Sequence, residues 1–556
     1  MRFFLTEVEE IGLKFSPFPE MDKFFFKRET EYLSPGLPLA FLETIVSETM
    51  SKAKLKLKLS KELKRHGDFL GYSSCIWQKA ESLTGLETFE EVWNNKTREF
   101  GLYIRGHQLT ENELGRLAVQ IGLDFEDLMR LAHQRVLKGQ GEWVPAVRQE
   151  GKKWRCQRCG ETELEEWSGV WGRMATCRSC TSLGVSSSQQ VLYRDKETLE
   201  KATEAVRFIL QPSLTSAQER ASSQVLEFVQ QSDEKEALLW AACGAGKTEV
   251  CFPSAAWALK RGMSVLFAAP RQDVIHDVAP RLQRNFPELQ FQVLSGMVPL
   301  KYQKGSMVLA TTHQILRFYR AFDLIFLDEM DAFPYKGSRM LEWGLKQALR
   351  SEGKILYLTA TPSEEGLRKN KTEGKNLIRL PARHHRHPLP VPKWLNYNFS
   401  PEKPNFAEAM EGQLQALVFL GPTLIFVPKI AWVASLVQSL RIKFPSWNIE
   451  GSYSSDPGRK RKVEGLSKGE YQLFICTSIL ERGVTIPNAQ VIVLAANHPV
   501  FDVRSLVQMA GRAGRTKDYP EGQVLFISER KALGVTEAIS WIIEQNTCAV
   551  SLGLLD

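Results

Sequence analysis

Three groups of residues in this sequence have the types and spacing to do chemistry. The first is Ala241-Ala-Cys-Gly-Ala-Gly-Lys-Thr248, set at the end of the apolar run Ala237–Ala241. Glycines let a backbone curl until its N–H groups point at a phosphate. A helix starting beyond the loop adds the positive end of its dipole. Lys247 can reach the β- and γ-phosphates of a nucleotide, and Thr248 can hold Mg²⁺. Ala241, Cys243, Gly244, Ala245 and Gly246 form the cradle. Ala241 stands where the usual pattern begins with glycine, and Pro253 falls early in the expected helix, where it should produce a kink.

The second group is Asp328-Glu-Met-Asp331, at the end of the apolar run Phe322–Leu327. Carboxylates delivered at the C-terminal end of a strand lie where open α/β sheets bind ligands. Asp328 can hold Mg²⁺, directly or through water, and Glu329 can orient or deprotonate an attacking water. Phosphoryl transfer needs little beyond such positioning and charge stabilisation. The third group is Cys156-Gln-Arg-Cys159 with Cys177-Arg-Ser-Cys180. Two such knuckles can close four thiolates, Cys156, Cys159, Cys177 and Cys180, around one structural Zn²⁺. Gly160 suits the tight knuckle turn. With every position a cysteine, no coordination site is left open for catalysis. A thioredoxin-type redox pair is the alternative, and two matched pairs outside a βαβ unit argue against it. Cys75, Cys243, Cys251, Cys476 and Cys548 read as buried small residues.

Length and pattern set the framework around these groups. At about 100–200 residues per domain, 556 residues make three or four domains. A 43% apolar and 24% charged composition excludes wholesale disorder. No run reaches the roughly 18–20 apolar residues of a membrane span. The opening residues place acids where a signal peptide needs its apolar core, so no secretory signal is expected. Nine cysteines, four of them paired, point to a reducing cytosol and a metal. A net charge of +8 permits a polyanionic partner without demanding one.

Four regions are expected: an N-terminal, mainly helical accessory region (1–150), a zinc ribbon and linker (151–190), and two α/β lobes (200–385 and 386–556). Thr110 to Val136 is helical in pattern, with Thr110 and Glu113 as a capping box. Ser186-Ser-Ser-Gln-Gln190 reads as the linker. Strands are expected at Ala237–Ala241, Ser264–Ala269, Met307–Ala310, Phe322–Leu327 and Lys354–Leu358. A second series falls at Thr423–Val427, Gln472–Cys476, Gln490–Leu494 and Gln523–Ile527. Strands alternating with helical segments mean βαβ units and parallel sheets. His384-His-Arg-His-Pro-Leu-Pro-Val-Pro392 reads as the connector between lobes. His384, His385 and His387 are exposed imidazoles or metal ligands. The run Lys52-Ala-Lys-Leu-Lys-Leu-Lys-Leu59 alternates as a strand with one charged face does. Solvent, nucleic-acid phosphate and anionic lipid all fit that face.

In order along the chain, these motifs resemble those of superfamily 2 DExD/H helicases and translocases. Asp328-Glu-Met-Asp331 is similar to the DExD/H box. Leu214-Thr-Ser-Ala-Gln218 resembles the motif whose glutamine, here Gln218, reads adenine. Thr359-Ala-Thr361 resembles the motif that couples hydrolysis to lobe movement. Thr477-Ser-Ile-Leu-Glu-Arg-Gly483 resembles the lobe-two motif that touches nucleic acid and, through Gly483, nucleotide. Gln508-Met-Ala-Gly-Arg-Ala-Gly-Arg515 resembles the motif in which Arg515 is the arginine finger and Arg512 a second phosphate contact. An arginine supplied from the second lobe makes hydrolysis depend on closure. The resemblance implies two tandem RecA-like lobes, with ATP and Mg²⁺ in the cleft. It also implies backbone contacts to DNA from Arg271, Thr311, Thr312, Thr477 and Ser478. Arg155, Arg158, Arg173 and Arg178 either join that contact or form a solvated basic surface. Phe333 either stacks on a base or packs in a core.

Four cysteines ahead of the first lobe, with the extended Asp328-Glu-Met-Asp-Ala-Phe-Pro334, are most similar to the ComFA family of competence DNA translocases. That resemblance implies an ATPase moving along single-stranded DNA on the cytoplasmic side, peripheral to the inner face of the membrane. It implies ComFC and DprA as partners, the channel ComEC as neighbour, and room for oligomerisation. PriA-type restart helicases share several motifs, but their cysteine cluster lies inside the helicase region. Duplex unwinding and an ATP-gated clamp remain the other two readings.

Overall fold

The structure is a computed structural model. It describes residues 1–46, 52–66, 75–82, 89–169, 171–197, 199, 206–231, 233–298, 302, 305–362, 377–397, 406–478 and 486–556. Gly483, one of the expected nucleotide contacts, lies outside them.

Near-continuous apolar runs build the two central sheets, because strands buried on both faces have no polar side to present. The first lobe is a seven-stranded sheet. Its order is Phe291–Leu294, Met307–Thr311, Val265–Ala269, Phe322–Asp328, Leu349–Thr359, Glu236–Ala241, Leu377–Leu380. Every neighbouring pair is parallel. Phe267 and Phe326 stack across adjacent strands at 5.0 Å. The second lobe is a six-stranded parallel sheet, ordered Lys393–Asn396, Val524–Ser528, Gln490–Leu494, Thr423–Phe426, Leu473–Cys476, Ile449–Ser452. The nine expected strands are all present, shifted by a few residues at their ends. Four short strands went unread: Phe291–Leu294, Leu377–Leu380, Lys393–Asn396 and Ile449–Ser452. Helix Lys247–Lys260 runs on through Pro253.

The N-terminal region carries more sheet than its helical pattern suggested. Gly12–Ser16, Phe3–Val8, Thr30–Leu37 and Ile76–Lys79 form a four-stranded antiparallel sheet. Lys52–His66 is a helix, not the expected strand. Leucines at odd positions look alternating over eight residues, but Leu55, Leu59 and Leu63 are a helical i, i+4, i+8 stripe. Those three are buried, while Leu57 between them is 72% exposed.

Ser186–Gln190 is not a linker. Ser186 and Ser187 pair with Cys177 and Thr176, and Ser186, Ser187 and Ser188 are buried. The chain then returns to the N-terminal region, where Val191–Asp195 pairs with both Gly141–Pro145 and Gln108–Thr110. The cysteine module therefore interrupts a sheet shared with residues before 150. It also packs on the first lobe: the four cysteines share a buried cluster with Ile315, Leu316, Phe318, Leu341 and Leu345. Among the described residues, no helix is long and apolar enough to cross a membrane.

Candidate functional site

The adjacent strands Phe322–Asp328, Leu349–Thr359 and Glu236–Ala241 end at one edge of the first sheet. That edge receives the acidic pair, the Thr359-Ala-Thr361 turn and the phosphate loop side by side. Ala241 is fully buried as the last strand residue, and Ala242 N–H donates to Leu380 O at 2.8 Å. The loop then turns through Gly244 and Gly246, both left-handed at φ of 80° and 81°. A Cβ on Gly246 would collide with the Gln218 carboxamide. Helix Lys247–Lys260 starts here with its N–H groups open toward the loop, since no side chain caps it.

Lys247 Nζ lies 2.6 Å from Asp328 Oδ1. Burial pushes the Asp328 carboxyl up, and Lys247 pulls it back toward the charged form while Glu329 opposes it. Glu329 sits at a φ of 53°, a left-handed conformation uncommon for a residue with a Cβ. Its N–H donates to Asp328 Oδ1 at 2.7 Å, so the turn places both carboxylates at the strand end. The buried hydroxyl of Thr248 and the carboxylates of Asp328 and Glu329 are a hard oxygen set that fits Mg²⁺. Bound there, the ion would neutralise charge on a triphosphate.

Asp331, to which the sequence assigned no role, is an organising residue of the site. Thr359 Oγ1 donates to its Oδ1 at 2.7 Å, and Thr361 Oγ1 donates to its Oδ2 at 2.5 Å. The acidic box is thus wired to the turn that ends the neighbouring strand. Gln218 also departs from expectation. Its Oε1 accepts from Thr215 N–H at 2.9 Å, and its Nε2 donates to Ala245 O at 2.8 Å. The carboxamide grips the phosphate loop instead of standing open to a base.

The second lobe closes the cleft. Helix Val503–Ala510 leads into the turn carrying Arg512 and Arg515, and its Gln508 Oε1 lies 3.4 Å from Cys243 Sγ. Arg512 is buried. A Cβ on Gly244 would lie 3.2 Å from Arg515 Nε, so this arginine reaches the phosphate loop. Burial pushes the Arg515 guanidinium down, and Glu329 is among the groups that oppose the shift. Lys336 with Asp502 at 3.6 Å and Arg459 with Asp273 at 2.9 Å also bridge the lobes. Both pairs are half exposed and contribute little energy.

The expected DNA contacts divide. Arg271, Thr477 and Ser478 are half-buried at strand ends. Thr311 and Thr312 are buried, and the Thr312 hydroxyl is closed off from solvent. Phe333 is 82% exposed, which overturns the core reading.

The four cysteine Sγ atoms lie within 4.8 Å of one another, and all are buried. Cys159 to Cys177 is 3.5 Å, and Cys156 to Cys180 and Cys177 to Cys180 are each 3.8 Å. Sulfurs around a tetrahedral zinc with bonds of about 2.3 Å lie about 3.8 Å apart, so the set fits that ion. Among the described residues this is the sole such cluster, and the connector histidines form none. His385 is buried, not exposed, with its Nε2 3.0 Å from Gly514 O.

The arginines near the knuckles are mostly paired locally: Arg155 with Glu150, Arg173 with Glu166 and Arg178 with Glu165. Arg158 is fully buried and is neither a DNA contact nor a solvated residue. It pairs with Glu113, which also pairs with Arg317 of the first lobe. Burial alone would push the Glu113 carboxyl up; the two guanidiniums outweigh it and hold it low. The expected capping box is present at Thr110 and Glu113, but the same glutamate joins helix, knuckle and lobe.

Residues 211–364 match the family described as type III restriction enzyme, res subunit, and residues 413–517 match the helicase conserved C-terminal domain. Competence protein ComFA of Bacillus subtilis (strain 168) is 34% identical over 414 residues, 73% of this chain and 88% of that protein. Competence protein ComFA of Streptococcus pneumoniae (strain ATCC BAA-255 / R6) is 35% identical over 412 residues, 73% of this chain and 93% of that protein. This chain belongs to the ComFA family. The first ComFA-family lobe thus holds the phosphate loop and acidic box, and the second holds the arginine turn. The chain is a nucleic-acid-dependent ATPase of the superfamily 2 helicase type. A solved structure, S. cerevisiae Dbp5 bound to RNA and ADP BeF3, aligns with a TM-score of 0.46 and 17% identity. That alignment covers 60% of this chain and 89% of the other.

Proposed function

We propose that this protein is an ATP-driven translocase that moves along single-stranded DNA during uptake of transforming DNA. The observation that carries the proposal is the meeting of four charged side chains across one cleft. Lys247 contacts Asp328, Glu329 follows on the same turn, and Arg515 approaches Gly244 from the other lobe. An arginine that completes the site only when the lobes meet ties turnover to closure. Alternation between closed and open lobes advances the strand held at Arg271, Thr477, Ser478 and the main chain near Thr311. Such contacts grip phosphates without reading sequence. One zinc held by Cys156, Cys159, Cys177 and Cys180 fixes the ribbon to the first lobe.

The competence role is supported by the name that the two relatives carry. With it come ComFC and DprA as partners, a cytoplasmic position beside the membrane, and ComEC as the channel served. Steady-state ATP hydrolysis should be measured with no polynucleotide, single-stranded DNA, duplex DNA and RNA. Single-stranded DNA should stimulate turnover at least about tenfold more than duplex, a difference of about 1.4 kcal/mol in barrier. Stimulation chiefly by RNA would refute the DNA reading. Stimulation chiefly by duplex would favour unwinding or a duplex-tracking motor.

A further inference from the structure

The connector between the lobes does more than span them. It leaves the first lobe after Leu377–Leu380 and enters the second at Lys393–Asn396. Between them Arg383 is 1% exposed at the centre of the cleft. Its Nε donates to Cys243 O, in the phosphate loop, at 2.8 Å. Its other nitrogens donate to the turn that carries the arginine pair: to Ala513 O at 2.7 Å, to Gly511 O at 3.1 Å, and to Gly514 O. His385, two residues on, adds its own contact to Gly514 O.

The two loops approach each other closely there. A Cβ on Gly511 would lie 2.5 Å from the Cβ of Cys243, and one on Gly244 would lie 3.6 Å from Arg383 Nε. Backbone carbonyls of two loops cannot bond to each other. A planar guanidinium with five donors can join them, and it fixes their spacing as it does so. Among the described residues, no carboxylate pairs with this buried cation. A stability role alone is a poor explanation, because an apolar side chain of similar volume would avoid that desolvation cost. Burial and the nearby Arg515 push the Arg383 guanidinium down to about 9.

We infer that Arg383 is a positioning residue that sets the Arg512–Arg515 turn of the second lobe against the phosphate loop of the first. It acts through that turn, and the inference rests on Arg515 being the charge supplied to the phosphoryl group. Its position on the connector also makes the register of the arginine pair sensitive to how the lobes are joined.

The test compares Arg383→Lys, Arg383→Met, Arg515→Ala and the double variant Arg383→Met/Arg515→Ala in the full-length chain. The readouts are DNA-stimulated kcat, KM for ATP, binding of a fluorescent ATP analogue, and Tm. Arg383→Lys keeps the charge and loses the fork, so it remains informative should the methionine variant fold poorly. Both Arg383 variants should lower kcat about 10–100-fold, the scale of an ångström-sized misplacement, with KM within about threefold. The double variant should be no slower than Arg515→Ala, because both changes remove one function. An Arg383→Lys kcat within about threefold of wild type would overturn the inference, as would losses that multiply in the double variant. Full activity of Arg515→Ala would instead refute the underlying arginine reading, and the inference with it.

Discussion

Glu329→Gln should lower the DNA-stimulated kcat by about 10²–10⁴-fold, the range for loss of a general base, while nucleotide affinity stays within about threefold. The substitution keeps side-chain size and the main-chain N–H that bonds to Asp328 Oδ1, so the turn persists. What it removes is the carboxylate that, in the proposed mechanism, accepts a proton from, or orients, the attacking water. Lys247→Ala should be as slow for a different reason. Lys247 is the cation of the phosphate loop, and without it Asp328 remains buried with a charge that Lys247 no longer offsets. Its nucleotide affinity should therefore fall together with kcat, which separates the two variants. Phosphate release at saturating single-stranded DNA, beside equilibrium binding of a fluorescent ATP analogue, makes the comparison. A Glu329→Gln enzyme within threefold of wild type would remove this carboxylate from the reaction.

The second large effect is expected at the cysteines. Cys156→Ser should reduce zinc from about one ion per chain to near zero, because a tetrahedral structural site needs all four ligands. Structural zinc sites of this kind supply about 10–16 kcal/mol of apparent binding energy in small domains. Their loss should not stay local here. The knuckle residue Arg158 pairs with Glu113, and Glu113 with Arg317, so disorder in the ribbon leaves buried charges without partners on both sides. Breaking a buried pair costs about 3–5 kcal/mol. A Tm lowered by several degrees or more should accompany the zinc loss, measured by elemental analysis and calorimetry on the same sample. A Cys156→Ser protein with full zinc content would exclude this cysteine as a ligand.

The sequence exposed what is set by local chemistry. Loop glycines, the Lys247-Thr248 pair, the Asp328-Glu329 pair and the two cysteine knuckles all carry their function in spacing a few residues long. The parallel sheets were legible for the same reason, since strands buried on both faces read as apolar runs. Long-range partnerships were not legible. Asp331 owes its role to two threonine hydroxyls on the neighbouring strand. Arg158 reads as a basic surface residue or DNA contact and Glu113 only as a helix-capping partner, until Arg317 arrives from a distant segment. Arg383 stands just before the histidine- and proline-rich run His384–Pro392, whose composition suggests a connector and draws attention to its histidines. The helix at Lys52–His66 misled because a leucine stripe of period near four passes for alternation when sampled over eight residues. Ser186–Gln190 misled because serines read as linker while their backbone was pairing in a sheet.

Movement along single-stranded DNA driven by this cleft can be read from displacement of streptavidin from end-biotinylated oligonucleotides. With ATP, the wild-type chain should strip streptavidin from one end, 3′ or 5′, well above the spontaneous rate. Glu329→Gln should strip neither end. Robust DNA-stimulated hydrolysis without displacement from either end would contradict translocation and leave a nucleotide-gated clamp.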